Sequence, residues 1–83
     1  MRIYKFTISN RDSSTFRCDV YDNGSFMYSR EAEMYDKNLT EEINALALSK
    51  KMGQILDIDE RDLYVPIRMA IMIGESTWTN SKY

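Results

Sequence analysis

Histidine is absent from the 83 residues. That removes the commonest general base, the usual activator of a nucleophilic serine or cysteine, and the commonest metal ligand, so Ser–His and Cys–His mechanisms are excluded. Cysteine occurs once, as Cys18, so no disulfide framework can form within the chain, and a zinc site lacks its several Cys or His ligands. Cys18 falls in the middle of a predicted strand on its inward face and reads as a buried, inert thiol. The three glycines, Gly24, Gly53 and Gly74, are isolated, which leaves no phosphate-cradling loop. The longest apolar stretch, Met69 to Ile73, is far short of the ~20 residues a membrane helix requires. Met1 to Ile8 carries Arg2 and Lys5 with no apolar run behind them, so no secretory signal is read and a cytoplasmic protein is expected.

Concentrated basic charge is also missing. Eleven Lys and Arg stand against thirteen Asp and Glu, for a net charge of −2, and only Lys50 and Lys51 are adjacent. Nucleic-acid binders draw most of their affinity from a basic stripe that neutralises phosphates, so nucleic acid is not an expected partner. Catalysis by carboxylates alone needs two of them placed across a cleft, which a chain this short rarely builds. The expectation is a protein that is not an enzyme and uses no cofactor or metal.

The chain does contain the pattern of one α+β domain spanning 1–83, with 43% hydrophobic and 29% charged residues. Tyr4, Phe6 and Ile8 alternate with Ile3, Lys5 and Thr7, and Phe16, Cys18 and Val20 alternate with Arg17, Asp19 and Tyr21, the period of strands with one face inward. Asp22-Asn23-Gly24 signals a hairpin. A two-residue Asn23-Gly24 loop would set Val20 opposite Met27. A three-residue loop with a Gly24 bulge sets Val20 opposite Phe26 and Cys18 opposite Tyr28, collecting the large apolar groups on one face, and this register is expected. Together these patterns predict a three-stranded antiparallel sheet over about 2–9, 15–21 and 25–30, packed on a long helix of about 39–56 and a second helix of about 66–75.

Asn38 with Glu41 forms a candidate capping box for the long helix. Its apolar residues make two stripes, Leu39, Ile43, Leu46, Ala47 and, nearly opposite, Ala45, Leu48, Met52, Ile55. Such a helix calls for cover on both sides, by the sheet and by either the C-terminal segment or a second copy. The second helix is the preferred reading of a stretch in which Ile67, Met69, Ile71 and Ile73 also alternate like a strand, with Pro66 placed in its first turn. Ser76 to Tyr83 is polar apart from Trp78 and Tyr83 and is expected to fray.

Binding candidates come from features that a bare fold does not require. Tyr21 and Met27, with Ile3, are placed on the sheet face turned away from the helices, and such residue types are enriched in contact surfaces. Trp78 and Tyr83 are residue types that dominate binding hot spots, here in a polar tail. Six methionines are many for this length, and Met69 with Met72 is read first as core filling and second as an adaptable surface. Asp57, Asp59, Glu60 and Asp62 have the outline of a calcium loop, but Asp62 stands where the sixth-position glycine belongs and Arg68 where the twelfth-position glutamate belongs. They read instead as a solvated connector that places negative charge at the start of the last helix. If they converge with Glu31, Glu33 and Asp36, they could imitate phosphates toward a basic partner.

Strands, the hairpin Val20-Tyr21-Asp22-Asn23-Gly24-Ser25 and then amphipathic helices resemble the layout of small phage-encoded inhibitors, including some anti-CRISPR proteins. That resemblance implies a stand-alone protein that occupies a surface of a larger host assembly; it supplies no binding residue. The sequence therefore points to a protein partner, with a homodimer as the alternative, and away from nucleic acid and membrane. The rival reading is an oligomeric binder of a nucleotide-like ligand, using Arg61 and Arg68 beside the apolar last segment.

Overall fold

Alternation dictates the first two strands. β1 (Arg2–Ile8) and β2 (Phe16–Asp22) pair antiparallel with Tyr4 opposite Val20 and Phe6 opposite Cys18, and all four side chains are buried. The computed structural model describes residues 1–8, 15–33, 36 and 38–80. Within them β3 (Ser25–Ala32), α1 (Glu41–Leu56), α2 (Glu60–Ile73) and β4 (Glu75–Asn80) follow, and the antiparallel sheet has the order β3-β2-β1-β4. Both helices lie on one face. α2 sits over β4 and β1, and α1 packs beside α2 and reaches β3. Between the layers Phe6 and Phe16 stack at 5.9 Å, with Leu48 and Met52 of α1 and Leu63 and Ile67 of α2 fully enclosed above the sheet.

The hairpin departs from the expected register. Asn23 (φ 51°) and Gly24 (φ 86°) both take positive φ, the requirement of a two-residue loop, and Asp22 pairs with Ser25 and Tyr21 with Phe26. Val20 nevertheless pairs with Tyr28, because β3 carries a bulge there that leaves Met27 as the extra residue. The apolar pattern did demand a one-residue slip, but an interior bulge takes it up while Asn-Gly closes the tight turn without strain. Cys18 therefore faces Arg30, whose guanidinium lies 4.3 Å from the Tyr28 ring centre.

The C-terminal segment is also reassigned. Residues 75–80, expected to belong partly to a helix and partly to a frayed tail, form a fourth strand on β1. Thr77, Trp78 and Thr79 are favourable strand residues, and Trp78 opposes Tyr4 with ring centres 5.3 Å apart. Gly74 (φ 99°) makes the corner: its N–H donates to Ala70 O at 2.8 Å, closing α2, while its carbonyl accepts from Ile8 N at 3.1 Å, opening the ladder. The Ser76 hydroxyl donates to the Pro66 carbonyl, fastening the new strand to the helix above it.

Both helices start elsewhere than expected. Thr40, not Asn38, caps α1, accepting from Ile43 N at 3.2 Å. Asn38 belongs to the preceding turn and donates its own N–H to the Asp36 carboxylate at 2.9 Å. α2 begins at Glu60 because Asp59 caps it, so Pro66 is a residue of the helix interior rather than of its first turn. α1 buries one apolar stripe only, Ala45, Leu48, Met52 and Leu56; Leu39, Ile43 and Leu46 of the other stripe stay about half exposed. The cover expected on its second side is therefore absent among the described residues.

Candidate functional site

The sheet face opposite the helices is covered by no element among the described residues, and the pairing sorts it into two zones. Toward the β1 C-terminus lie Lys5, Thr7, Arg17, Asp19, Ser29, Glu75 and Thr77, a polar zone that satisfies itself. Arg17 Nε donates to Asp19 Oδ1 at 2.8 Å, the Ser29 hydroxyl donates to the same oxygen, and Lys5 Nζ stands 3.7 Å from Glu75. Burial pushes the Asp19 carboxyl up, but the hydrogen bonds from Ser29 and Arg17 outweigh it and hold the group below the ordinary carboxylate range.

Toward the hairpin the same face turns apolar. Ile3 pairs with Tyr21, Tyr21 pairs with Phe26, and the two aromatic rings meet edge to face at 5.7 Å. Phe26 is 57% exposed. Tyr21 thus lies where the sequence put it, but its neighbour is Phe26, while Met27 is held in the bulge, exposed beside them. Phe26 faces inward only with a three-residue loop, which is how a ladder with no interior bulge would collect the large apolar groups on one face. The signal that could have found it is the Asn-Gly pair itself, which favours a two-residue loop.

The acidic candidates do not gather into a site. Asp57 is the left-handed C-cap of α1 (φ 56°), Asp59 caps α2, and Glu60 and Asp62 lie exposed in its first turn, where the helix dipole favours them. Glu31 and Glu33 are at the opposite end of α1, whose sixteen residues span ~24 Å at 1.5 Å each. Arg61 is held by Asp59, with Nη2 to Oδ2 at 2.7 Å, and hydrogen bonds from Arg61 bring the Asp59 carboxyl down to about 2. Between α1 and α2 these residues, with Leu46, Ser49, Glu60 and Tyr64, line an open cleft of about 530 Å³. Arg68 donates to the Tyr64 hydroxyl at 3.2 Å.

Trp78 is half-buried in β4 against Tyr4 rather than free in a tail, and Tyr83 lies outside the described residues. Met69 and Met72 are not core filling. With Val65 and Ile73 they form an exposed apolar stripe on α2, from 41% exposed at Met69 to 67% at Ile73.

Cys18 has no exposed surface, and burial, helped by the Asp19 charge, pushes its thiol up to about 12. The native protein is expected to resist a thiol-disulfide colour reagent at neutral pH and to release one equivalent only after unfolding in urea. Stoichiometric reaction of the folded protein would contradict that burial.

No helix among the described residues is long and apolar enough to cross a membrane. No family model, curated protein or solved structure matches this chain.

Proposed function

We propose that this chain is a small non-enzymatic protein-binding module that modulates a larger assembly by covering one of its surfaces. The contact is the hairpin end of the open sheet face, with Ile3, Tyr21 and Phe26 at its centre and Met27 at its rim. The observation that carries this reading is Phe26, more than half exposed on a face that no described element covers and propped edge-on by Tyr21. An aromatic pair held in one geometry presents apolar area at little entropic cost on binding. The self-satisfied polar zone beside it has the character of a binding rim. The lack of histidine and the buried thiol support a non-catalytic role. On the resemblance to small phage-encoded inhibitors, the partner is a host defence or regulatory assembly and the place of action the host cytoplasm.

The ligand-binding alternative has less support. In the α1–α2 cleft Asp59 and Glu60 meet the single guanidinium of Arg61, which Asp59 already occupies, so a nucleotide phosphate would meet net negative charge.

The test is capture from a host lysate with wild type and Phe26→Asp side by side, followed by titration of the stoichiometric partner. Loss of a central aromatic costs ~2 kcal/mol or more, so the variant is expected to bind about 30-fold more weakly or worse. Its fold should be unchanged, since Phe26 is not part of the core. Equal binding by the variant, or no stoichiometric partner for wild type, overturns the reading.

A further inference from the structure

The two sheet edges are built differently. β3 has the bulge at Met27 and carries exposed Arg30 and Glu31, devices that discourage strand addition. β4 has no bulge, proline or lysine, and its only charged residue, Glu75, is engaged by Lys5 across the outer face.

The ladder says which groups this edge offers. Ile8 N donates to Gly74 O, and antiparallel pairs alternate between bonded and non-bonded. Phe6–Ser76 and Tyr4–Trp78 are therefore bonded pairs, and the N–H and C=O groups of Glu75, Thr77 and Thr79 point away from β1. Among the described residues nothing pairs with them. What fits that row is an extended backbone.

Above the same edge lies the exposed stripe of α2. Glu60, Arg61 and Tyr64 border the cleft with α1, so on a helix of 100° per residue Met69 and Ile73 fall on the opposite flank, over the free edge, with Val65 and Met72 following them outward. The one charged residue on that flank is Asp62, in the first turn of the helix.

We propose that two copies of this chain pair β4 to β4 about a two-fold axis through Thr77, joining the four strands of each copy into one sheet and packing the Met69–Ile73 flank of α2 against its copy. This register pairs Thr77 with its own copy and Glu75 with Thr79 of the other chain, so every outward-facing group on β4 is bonded. No like charges are opposed along the strand, and the two Asp62 carboxylates stand at opposite ends of the antiparallel helix pair. The spacing fits as well. With strands ~4.8 Å apart, a helix seated over β4 and β1 lies ~5 Å from the axis, so α2 and its copy are ~10 Å apart, within the range of packed helices. A second copy thus supplies both the strand that the edge lacks and the helix that the stripe lacks. The pairing is independent of the Phe26 contact, which lies at the other edge of the sheet.

Solution mass by light scattering, at concentrations up to about 100 µM where a micromolar interface is saturated, should give twice the chain's 9.8 kDa. Thr77→Pro removes a donor that points away from β1, a replacement that edge strands tolerate. Met69→Lys with Ile73→Lys charges the helix flank. Each change acts twice across the axis, so each is expected to weaken dimerisation about 100-fold or more, with far-ultraviolet circular dichroism unchanged. Phe26→Asp should leave the mass at two chains. A monomeric wild type, or a dimer that persists in either the strand or the helix variant, overturns the proposal, and neither result bears on the Phe26 contact.

Discussion

Replacing Phe6 by alanine should cost the fold about 3–5 kcal/mol, the range for a fully buried phenylalanine. Phe6 is on β1, an interior strand of the sheet; it has no exposed surface, opposes Cys18 and stacks on Phe16 at 5.9 Å. Its removal opens a cavity at the meeting point of both layers, where neighbours on β1 and β2 are held in register and cannot collapse inward. A chain of 83 residues has a total stability of about 4–12 kcal/mol at 0.05–0.15 kcal/mol per residue, so this single change consumes a large part of it. In urea the midpoint should fall by about 3–5 M at a slope near 1 kcal/mol/M, with the slope itself unchanged. A fall of less than about 1 M would mean that the core does not centre on this ring.

That core was legible in the sequence because it rests on local alternation. Tyr4 and Phe6, then Phe16, Cys18 and Val20, are inward residues of period-two runs, and all are buried. α1 was only half legible: cover was expected on both of its stripes, and Ala45, Leu48 and Met52 are enclosed while Leu39, Ile43 and Leu46 are not. What the pattern could not convey was how an apolar demand is met. Val20 needed an aromatic partner, and a change of loop length and an interior bulge both provide one. The Asn23–Gly24 backbone settled it toward the bulge, which moved Phe26 to the open face and made it the centre of the candidate site.

β4 was hidden for a different reason. Its pairing partner is β1, more than sixty residues earlier, and its inward residues are only Ser76, Trp78 and Asn80, too polar to read as a strand buried on one side. The strand is held by Trp78 on Tyr4 across the sheet and by Ser76 on the Pro66 carbonyl, a long-range pair and a helix contact that no local pattern encodes. Missing β4 also concealed the free edge, while Met69 and Met72 read as core filling because methionine commonly takes that role. The acidic run was half legible. Its role at the start of α2 follows from the dipole, but Asp59 as the cap, and hence the early start of the helix, was masked by reading 57–62 as a connector.

Gly53→Val should be as damaging as a core truncation, about 3 kcal/mol or more, and the reason is a reversal of the usual sign. A glycine inside a helix ordinarily costs about 1 kcal/mol relative to alanine, so replacing it stabilises. Here the chain doubles back over the position. Gly53 O accepts from the amide of the left-handed C-cap Asp57 and from Ile58 N at 3.0 Å, and a Cβ on Gly53 would stand 2.7 Å from Ile58 O and 3.4 Å from the backbone of Glu60. These are main-chain atoms and cannot rotate aside. Making room means moving residues 58–60, and with them the Asp59 cap and the start of α2. Alanine should therefore destabilise by about 1–3 kcal/mol, the cost of overpacking, and valine by more, since its branches widen the clash. Thermal or urea unfolding of the pair should give valine below alanine below wild type. Alanine more stable than wild type by about 1 kcal/mol, as an open helix position would give, would show that α1 and α2 do not approach each other at Gly53.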